Sequence, residues 1–281
     1  MTVLFPRSID EACAAIHHDG EAMVLAGGTD LMVAVNAGRQ RPRSVVSLDR
    51  VTDLRSWHLT DGDLVLGAGL TYRDLAEADL ARMVPALAQA ARTVGSPQIR
   101  NVGTLGGNLA TASPAGDTLP VLAALDALVL IRSLAGERAV PFAEFCVGPK
   151  QTTLGRGELI AGVRVPVFDG AQEFLKVGTR NAMVIATTSA ALVVDRAGRT
   201  VRIGLGSVGP TVLRAAEAEA WVVDRVDWDA GSIPDPRTPA AFGDLVAAAA
   251  RPIDDHRSTA DYRRHCVGVL ARRALLRAFP A

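Results

Sequence analysis

The chain has 281 residues, 49% of them hydrophobic and 21% charged, and its formal net charge is zero. That length allows two or three compact domains with cores of their own, in an ordinary globular composition. Neutrality removes any broad electrostatic case for binding nucleic acid or an anionic membrane, and it favours association with other subunits.

The first residues, MTVLFPRSIDEA, lack the charged and apolar regions of a secretory leader, so a cytoplasmic protein is expected. Ser8, with Glu11 three residues on, reads as a capping box for a helix to about Ile16, and Gly20 ends that unit. Residues 21–26 (EAMVLA) read as a short buried strand, Gly27-Gly28 as a turn and residues 30–38 as a short helix stopped by glycine. Residues 44–48 (SVVSL) are another strand, so a small parallel sheet is expected here. Residues 57–69 form a hairpin turning at Asp61-Gly62. Thr71 caps one long helix reaching about Arg92. Residues 93–117 then read as a long loop rich in Gly, Ser, Thr and Asn, and a loop of that length inside a compact domain is usually functional. TLPVLAALDA is a short helix, and residues 128–141 are a second hairpin. After Pro166 the pattern changes to antiparallel strands turning near Ala197-Gly198, followed by helices over about 213–223, 239–250 and 258–279. The expected organisation is a domain over 1–166, with subdomains of about 1–52 and 53–166, and an α+β domain over 167–281.

Two segments, LAGGTDLM (residues 25–32) and TLGGNLA (residues 104–110), each carry a Gly-Gly pair followed within two residues by Asp or Asn. Glycine is costly in backbone entropy, so its paired use twice needs a reason. Successive amides in a tight turn make an anion-binding nest, and a helix starting next adds its positive end. The functional reading is one pyrophosphate gripped from two sides; two plain structural turns remain the alternative on the residues alone. Neither segment is a P-loop, because no Gly-Lys-Ser/Thr follows. GLGSVG, with Gly204, Gly206 and Gly209, is a literal dinucleotide fingerprint in the wrong setting: it follows a hairpin strand and Pro210 follows at once. His17-His18 reads as a solvated pair, and the basic C-terminal helix as a packed helix with a solvated face. Cys13, Cys146 and Cys266 are far apart, which gives neither a disulfide framework nor a cluster motif. No apolar run is long enough for a membrane span.

At these residues the chain resembles the FAD-binding (medium) subunit of the molybdenum hydroxylases, the family of xanthine dehydrogenase and carbon monoxide dehydrogenase. LAGGTDLM resembles its first flavin motif, and VGSPQIRNVGTLGGNLATASPAGD its second. GELIAGVRVP followed by FLKVGTRNAMVIA resembles the start of its C-terminal domain, and IGLGSVGPTVLRA that domain's glycine-rich strand end. The resemblance implies an α+β fold. A two-part FAD-binding domain of the vanillyl-alcohol-oxidase/PCMH type (small parallel sheet with helices, plus a mainly antiparallel sheet) precedes an antiparallel sheet with a helical bundle. It implies FAD held non-covalently, since neither glycine segment carries His or Cys.

The implied site follows residue by residue. The main chain at Leu25, Ala26, Gly27, Gly28, Thr29, Asp30 and Leu31 would hold the pyrophosphate from one side. Thr104, Leu105, Gly106, Gly107 and Asn108 would hold it from the other, with Ser113 nearby. Asp117 would accept hydrogen bonds from FAD hydroxyls, and Ile160 would pack beside flavin or adenine. Lys176, one of only two lysines, would sit by the flavin and raise its potential. Val94 falls where some relatives place an aromatic residue on the flavin; it can pack there but not stack. No metal ligands are assigned to this chain. Molybdopterin and [2Fe-2S] clusters are expected on partners, a large molybdopterin subunit and a small iron–sulfur subunit, assembled as a dimer of heterotrimers. The implied function is electron transfer from those clusters through FAD to NAD, a quinone or O2. A stand-alone FAD-dependent oxidoreductase and a nucleotide-binding module without a redox role are the alternatives.

Overall fold

A computed structural model describes residues 1–181 and 183–280; Ala182, within FLKVGTRNAMVIA, and Ala281 lie outside the described residues. The chain opens with β1 (Thr2–Leu4), α1 (Ile9–His18), β2 (Met23–Leu25), α2 (Leu31–Asn36) and β3 (Ser44–Ser47). Ser8 caps α1 by accepting from the Glu11 N–H at 3.1 Å. β1 and β2 pair in parallel on either side of β3. The expected parallel sheet therefore has one more strand than the pattern disclosed, because three residues show no period. Two short 3-10 turns, Leu48–Arg50 and Thr52–Arg55, lead into the hairpin β4 (Trp57–Thr60) and β5 (Asp63–Gly67). Asp61 and Gly62 both take positive φ at its tip, as a two-residue turn of this hand requires.

The single helix expected from Thr71 to about Arg92 is three: α3 (Tyr72–Leu75), α4 (Ala78–Met83) and α5 (Pro85–Thr93). Glu77 leaves the helical region at ψ 154°, and Val84, just before Pro85, sits at φ −133°. Proline excludes helical geometry from its predecessor, while the apolar stripe runs on across the break and reads as continuous. The loop expected over 93–117 contains α6 (Pro97–Arg100) and α7 (Leu105–Thr111), capped by Ser96 and Thr104. After α8 (Leu119–Ala124) come the hairpin β6 (Leu128–Ser133) and β7 (Gly136–Pro141), then α9 (Phe142–Phe145), β8 (Cys146–Gly148), β9 (Gln151–Thr152) and β10 (Leu159–Pro166).

β10 is the central strand of a five-stranded antiparallel sheet, ordered β4-β5-β10-β6-β7. GELIAGVRVP thus completes the first antiparallel sheet instead of opening the C-terminal unit. The reason is pairing: Val163 lies opposite Leu66 on one side and Val129 on the other, and all three are buried.

The second antiparallel sheet follows chain order: β11 (Gln172–Val177), β12 (Thr188–Asp195), β13 (Thr200–Gly206) and β14 (Leu213–Arg214). It is followed by α10 (Ala216–Val223), α11 (Thr238–Ala249) and α12 (Ala260–Ala278). The helix expected from residue 213 begins at 216, because Leu213 and Arg214 pair with Leu205 and Gly204 and extend the sheet. β12 is buried from Thr188 to Val194, with α8 and α12 both packed on it. All six residues of α8 are buried, and a helix apolar on every side must be covered on every side. The Pro120 carbonyl of α8 lies so close to Gly204 that a Cβ there would come within 2.0 Å of it. Gly204 of the literal fingerprint therefore serves helix–sheet packing.

Arg214 ties the end of α8 to the second sheet. Its guanidinium pairs with Asp126 at 2.5 Å and with Glu219 at 2.6 Å, and it donates to the Ala123 carbonyl. Glu219 is buried and also accepts from the Ile203 N–H at 2.8 Å. Arg214→Met should lower the unfolding free energy by roughly 1.5–3 kcal/mol, the worth of hydrogen bonds to charged groups. Urea denaturation of the FAD-free chain checks this, and an unchanged midpoint would show the junction to be held by apolar packing alone. Among the described residues, no helix is long and apolar enough to cross a membrane, and no His/Cys/Asp/Glu group could hold a metal.

Candidate cofactor site

The first glycine segment leaves the edge strand β2 at Leu25 and turns at Gly27-Gly28, with Gly28 in the left-handed region at φ +72°. The turn closes through the Met32 N–H, which donates to the Gly28 carbonyl at 3.0 Å. Among the described residues, none of the five main-chain N–H groups from Gly27 to Leu31 has an acceptor in the protein. Asp30 stands at the N-cap of α2 but makes no side-chain cap bond; its carboxylate instead accepts from Thr111 Oγ1 of α7 at 3.4 Å. Unpaired amides of this kind await water or a ligand with acceptor oxygens.

The second segment offers different groups. Thr104 caps α7 and accepts from the Gly107 N–H at 3.0 Å. The Leu105 and Gly106 N–H groups donate to the Leu70 and Ala68 carbonyls at 2.9 and 2.8 Å, and the Asn108 N–H donates to the Thr104 carbonyl. Its amides from Leu105 to Asn108 are thus committed within the protein. What it presents instead is bare glycine surface and the side chains of Thr104, Asn108 and Thr111. Gly106 presses on Ala68, where a Cβ would come within 2.7 Å of the alanine methyl. One glycine pair shapes a nest, and the other lets a helix sit flat against a strand end.

The first segment touches the main chain that leads into the second, at Val102 and Gly103. A Cβ on Gly27 would lie 1.7 Å from the Val102 carbonyl oxygen, so that contact admits only glycine. The two segments wall one cavity of about 710 Å³, within the usual range for small-molecule and cofactor sites. Leu25, Ala26, Gly27, Gly28, Thr29, Asp30 and Leu31 line one side, and Thr104, Gly106, Gly107 and Asn108 the other. Leu48, Val51, Leu54 and Ile160 supply apolar surface, and Arg55, Asp49 and Tyr72 also border the cavity. Asp49 and Arg55 are paired at 3.0 Å. This donor set fits FAD: free amides suit pyrophosphate oxygens, which only accept, and the apolar surface suits the rings.

A family model described as the FAD binding domain in molybdopterin dehydrogenase matches residues 1–168, and one described as the CO dehydrogenase flavoprotein C-terminal domain matches residues 173–278. The chain belongs to the FAD-binding subunits of the molybdenum hydroxylases. It is 33% identical to the carbon monoxide dehydrogenase medium chain of Afipia carboxidovorans, over 97% of this chain and 94% of that one. It is 30% identical to the glyceraldehyde dehydrogenase medium chain of Sulfolobus acidocaldarius, over 95% and 94%. Among solved structures, quinoline 2-oxidoreductase from Pseudomonas putida 86 superposes with a TM-score of 0.90 at 28% identity, covering 99% of this chain and 96% of that one.

In this FAD-binding subunit, several residues implicated by the sequence stand away from the cavity wall. Leu105, the first residue of α7, is buried. Val94 packs on the core, and its carbonyl accepts from Arg100. Ser113 accepts from the Ala115 N–H within its own turn. Asp117 and Lys176 form an ion pair at 2.5 Å, with side chains only 6% and 9% exposed. Thr93 Oγ1 donates to the same carboxylate oxygen at 3.2 Å, and Lys176 Nζ also donates to the Thr93 carbonyl. The other carboxylate oxygen, Oδ1, is buried without a partner among the described residues. Burial raises the Asp117 pKa above the ordinary aspartate value, and Lys176 and Thr93 pull against it. Leu48, Val51 and Leu54 escaped notice in the sequence because short 3-10 turns carry no periodic signal.

Proposed function

We propose that this subunit binds FAD across the cavity, receives electrons singly from a reduced [2Fe-2S] cluster of a small partner subunit, and passes them to a final acceptor: NAD, a quinone or O2. The observation that carries the reading is the run of free amides from Gly27 to Leu31, facing Thr104 to Asn108 across one cavity. Bound FAD supplies the redox chemistry through its isoalloxazine ring. The chain's own residues bind and orient it. The amides of the first segment meet the pyrophosphate, the hydroxyls and glycine surface of the second close over it, and Leu54 and Ile160 keep water from the rings. Lys176 stands behind that wall with its charge balanced by Asp117, so the pair fixes the site's shape without adding net charge to it. In the same reading the chain divides into domains over 1–166 and 167–281, works in the cytoplasm, and pairs with a large molybdopterin subunit in a dimer of heterotrimers. The names of similar medium chains span glyceraldehyde and carbon monoxide at 30–33% identity, which suits a subunit that handles electrons and leaves substrate choice to a partner.

Reconstitution and co-purification test this. The chain expressed alone should take up FAD, turn yellow and retain the flavin through gel filtration, yet oxidise no organic substrate. Purified from its source, it should bring iron–sulfur and molybdenum partners with it. A chain that takes up no FAD, or one that unaided oxidises an organic substrate other than a reduced form of its own acceptor, overturns the proposal.

A further inference from the structure

We infer that Tyr72 is a positioning residue for the cofactor: its hydroxyl donates a hydrogen bond to an acceptor oxygen in the dinucleotide's linker, either phosphate or ribityl, where the two glycine segments meet. The inference rests on the FAD reading above.

The side chain is built into the site from three directions. Thr71 and Asp74 form a capping box at the start of α3, with the Asp74 N–H donating to Thr71 Oγ1 at 3.2 Å and the Thr71 N–H to Asp74 Oδ2 at 2.8 Å. The Tyr72 N–H donates to the Gly103 carbonyl at 3.0 Å, which ties its main chain to the second glycine segment. The ring packs under Gly103, where a Cβ would come within 2.7 Å of Cε2. Tyr72 is 5% exposed and forms part of the cavity wall. A ring pinned in this way has one place to put its hydroxyl.

That hydroxyl has no hydrogen-bond partner among the described residues, and it is not one of the fully enclosed unpaired atoms. It therefore reaches open space. The ring borders the cavity on one side and a shallow groove with Arg73, Glu77 and Arg100 on the other. The cavity wall beside Tyr72 also carries Thr71, Thr104 and Asp30, none of which borders the groove, and the influence of Asp30 on the phenol agrees with a hydroxyl turned toward the cavity. Burial above all, then Asp117 and Asp30, pushes proton loss well above the ordinary tyrosine range, so the group stays an O–H donor at physiological pH. Tyrosine hydroxyls in buried positions normally find a partner, and an unmade bond there is unfavourable. Phosphate and ribityl oxygens supply the missing acceptor. The cavity wall near Tyr72 holds Asp30, so a neutral donor suits the place better than a second carboxylate would.

Tyr72→Phe removes the hydroxyl and keeps the ring. Calorimetric titration of the FAD-free chain with FAD and with ADP, and melting curves with and without FAD, test the inference. The FAD dissociation constant should rise about five- to tenfold. The FAD-free melting temperature should stay level or rise, since the variant no longer carries an unpaired hydroxyl, while the FAD-induced increase should shrink. An equal loss for ADP identifies a phosphate oxygen as acceptor; a loss confined to FAD identifies a ribityl oxygen. Equal FAD affinity in the two proteins overturns the inference while leaving the FAD reading intact. So does a lowered FAD-free melting temperature with the FAD-induced increase unchanged, the mark of a packing residue. A wild-type chain that binds neither ligand overturns both.

Discussion

Gly27→Ala should weaken FAD binding about a hundredfold or more while leaving a folded chain. The added methyl would lie 1.7 Å from the Val102 carbonyl oxygen, and the next nearest atoms are also main chain. Backbone cannot rotate away as a side chain can, so the first glycine segment and the main chain leading into the second must part by roughly an ångström. Overpacking of this kind costs about 1–3 kcal/mol in stability. The loss in affinity should be larger, because the parted segments are the two walls of the cofactor cavity and a preorganised donor array loses most of its benefit when displaced. Gly38→Ala is the control. Gly38 also has positive φ, at +70°, but nothing lies within 4 Å of its would-be Cβ. That variant should lose about 1–2 kcal/mol from left-handed backbone strain and keep its FAD affinity. Fluorescence titration alongside urea denaturation separates the two effects. If Gly27→Ala and Gly38→Ala behave alike, the contact between the segments does not shape the site.

Lys176→Met should cost about 3–5 kcal/mol at neutral pH and above, because it strands the Asp117 carboxylate in the interior. The sign of its pH dependence follows from the carboxyl. Burial already raises the Asp117 pKa, and loss of the ammonium raises it further. An acid whose folded pKa exceeds its unfolded one binds more protons in the folded state across that window. Its contribution to stability is then greatest at low pH and declines as pH rises through the window. The penalty of Lys176→Met should therefore be small in mild acid and grow toward neutrality. Lys176→Met combined with Asp117→Asn should recover much of the loss, since no buried charge remains. Urea midpoints across a pH series measure all three proteins. A penalty independent of pH would mean that Lys176 matters through its hydrocarbon stem and not through its charge.

Much of the fold was legible locally. Ser8 and Glu11 marked α1, Asp61-Gly62 marked its hairpin, and residues 128–141 read as another. Errors collected where a local signal continued past a boundary set by something non-periodic. The apolar stripe of residues 72–92 hid the breaks at Glu77 and Val84. Helices α6 and α7 were too short to show a period inside a polar stretch.

The site divides in the same way. Residues 25–32 and 104–110 could be picked out from the chain alone, because paired glycines are rare enough to need a cause, with an anion nest and a plain structural turn both open on the residues. What each pair does could not be picked out. Whether an amide is free depends on carbonyls distant in sequence: Leu70 and Ala68 satisfy Leu105 and Gly106, while none of the described residues reaches Gly27 to Leu31. Likewise, Asp117 was identifiable as a special carboxylate, but its burial against Lys176 depends on where β11 docks. Local pattern thus determined which residues are unusual, since propensity and turn chemistry act over a few neighbours. Only the packing of α3, α7 and two sheets around one cavity decided which donors remain unpaired, since hydrogen-bond satisfaction and desolvation are properties of the whole fold.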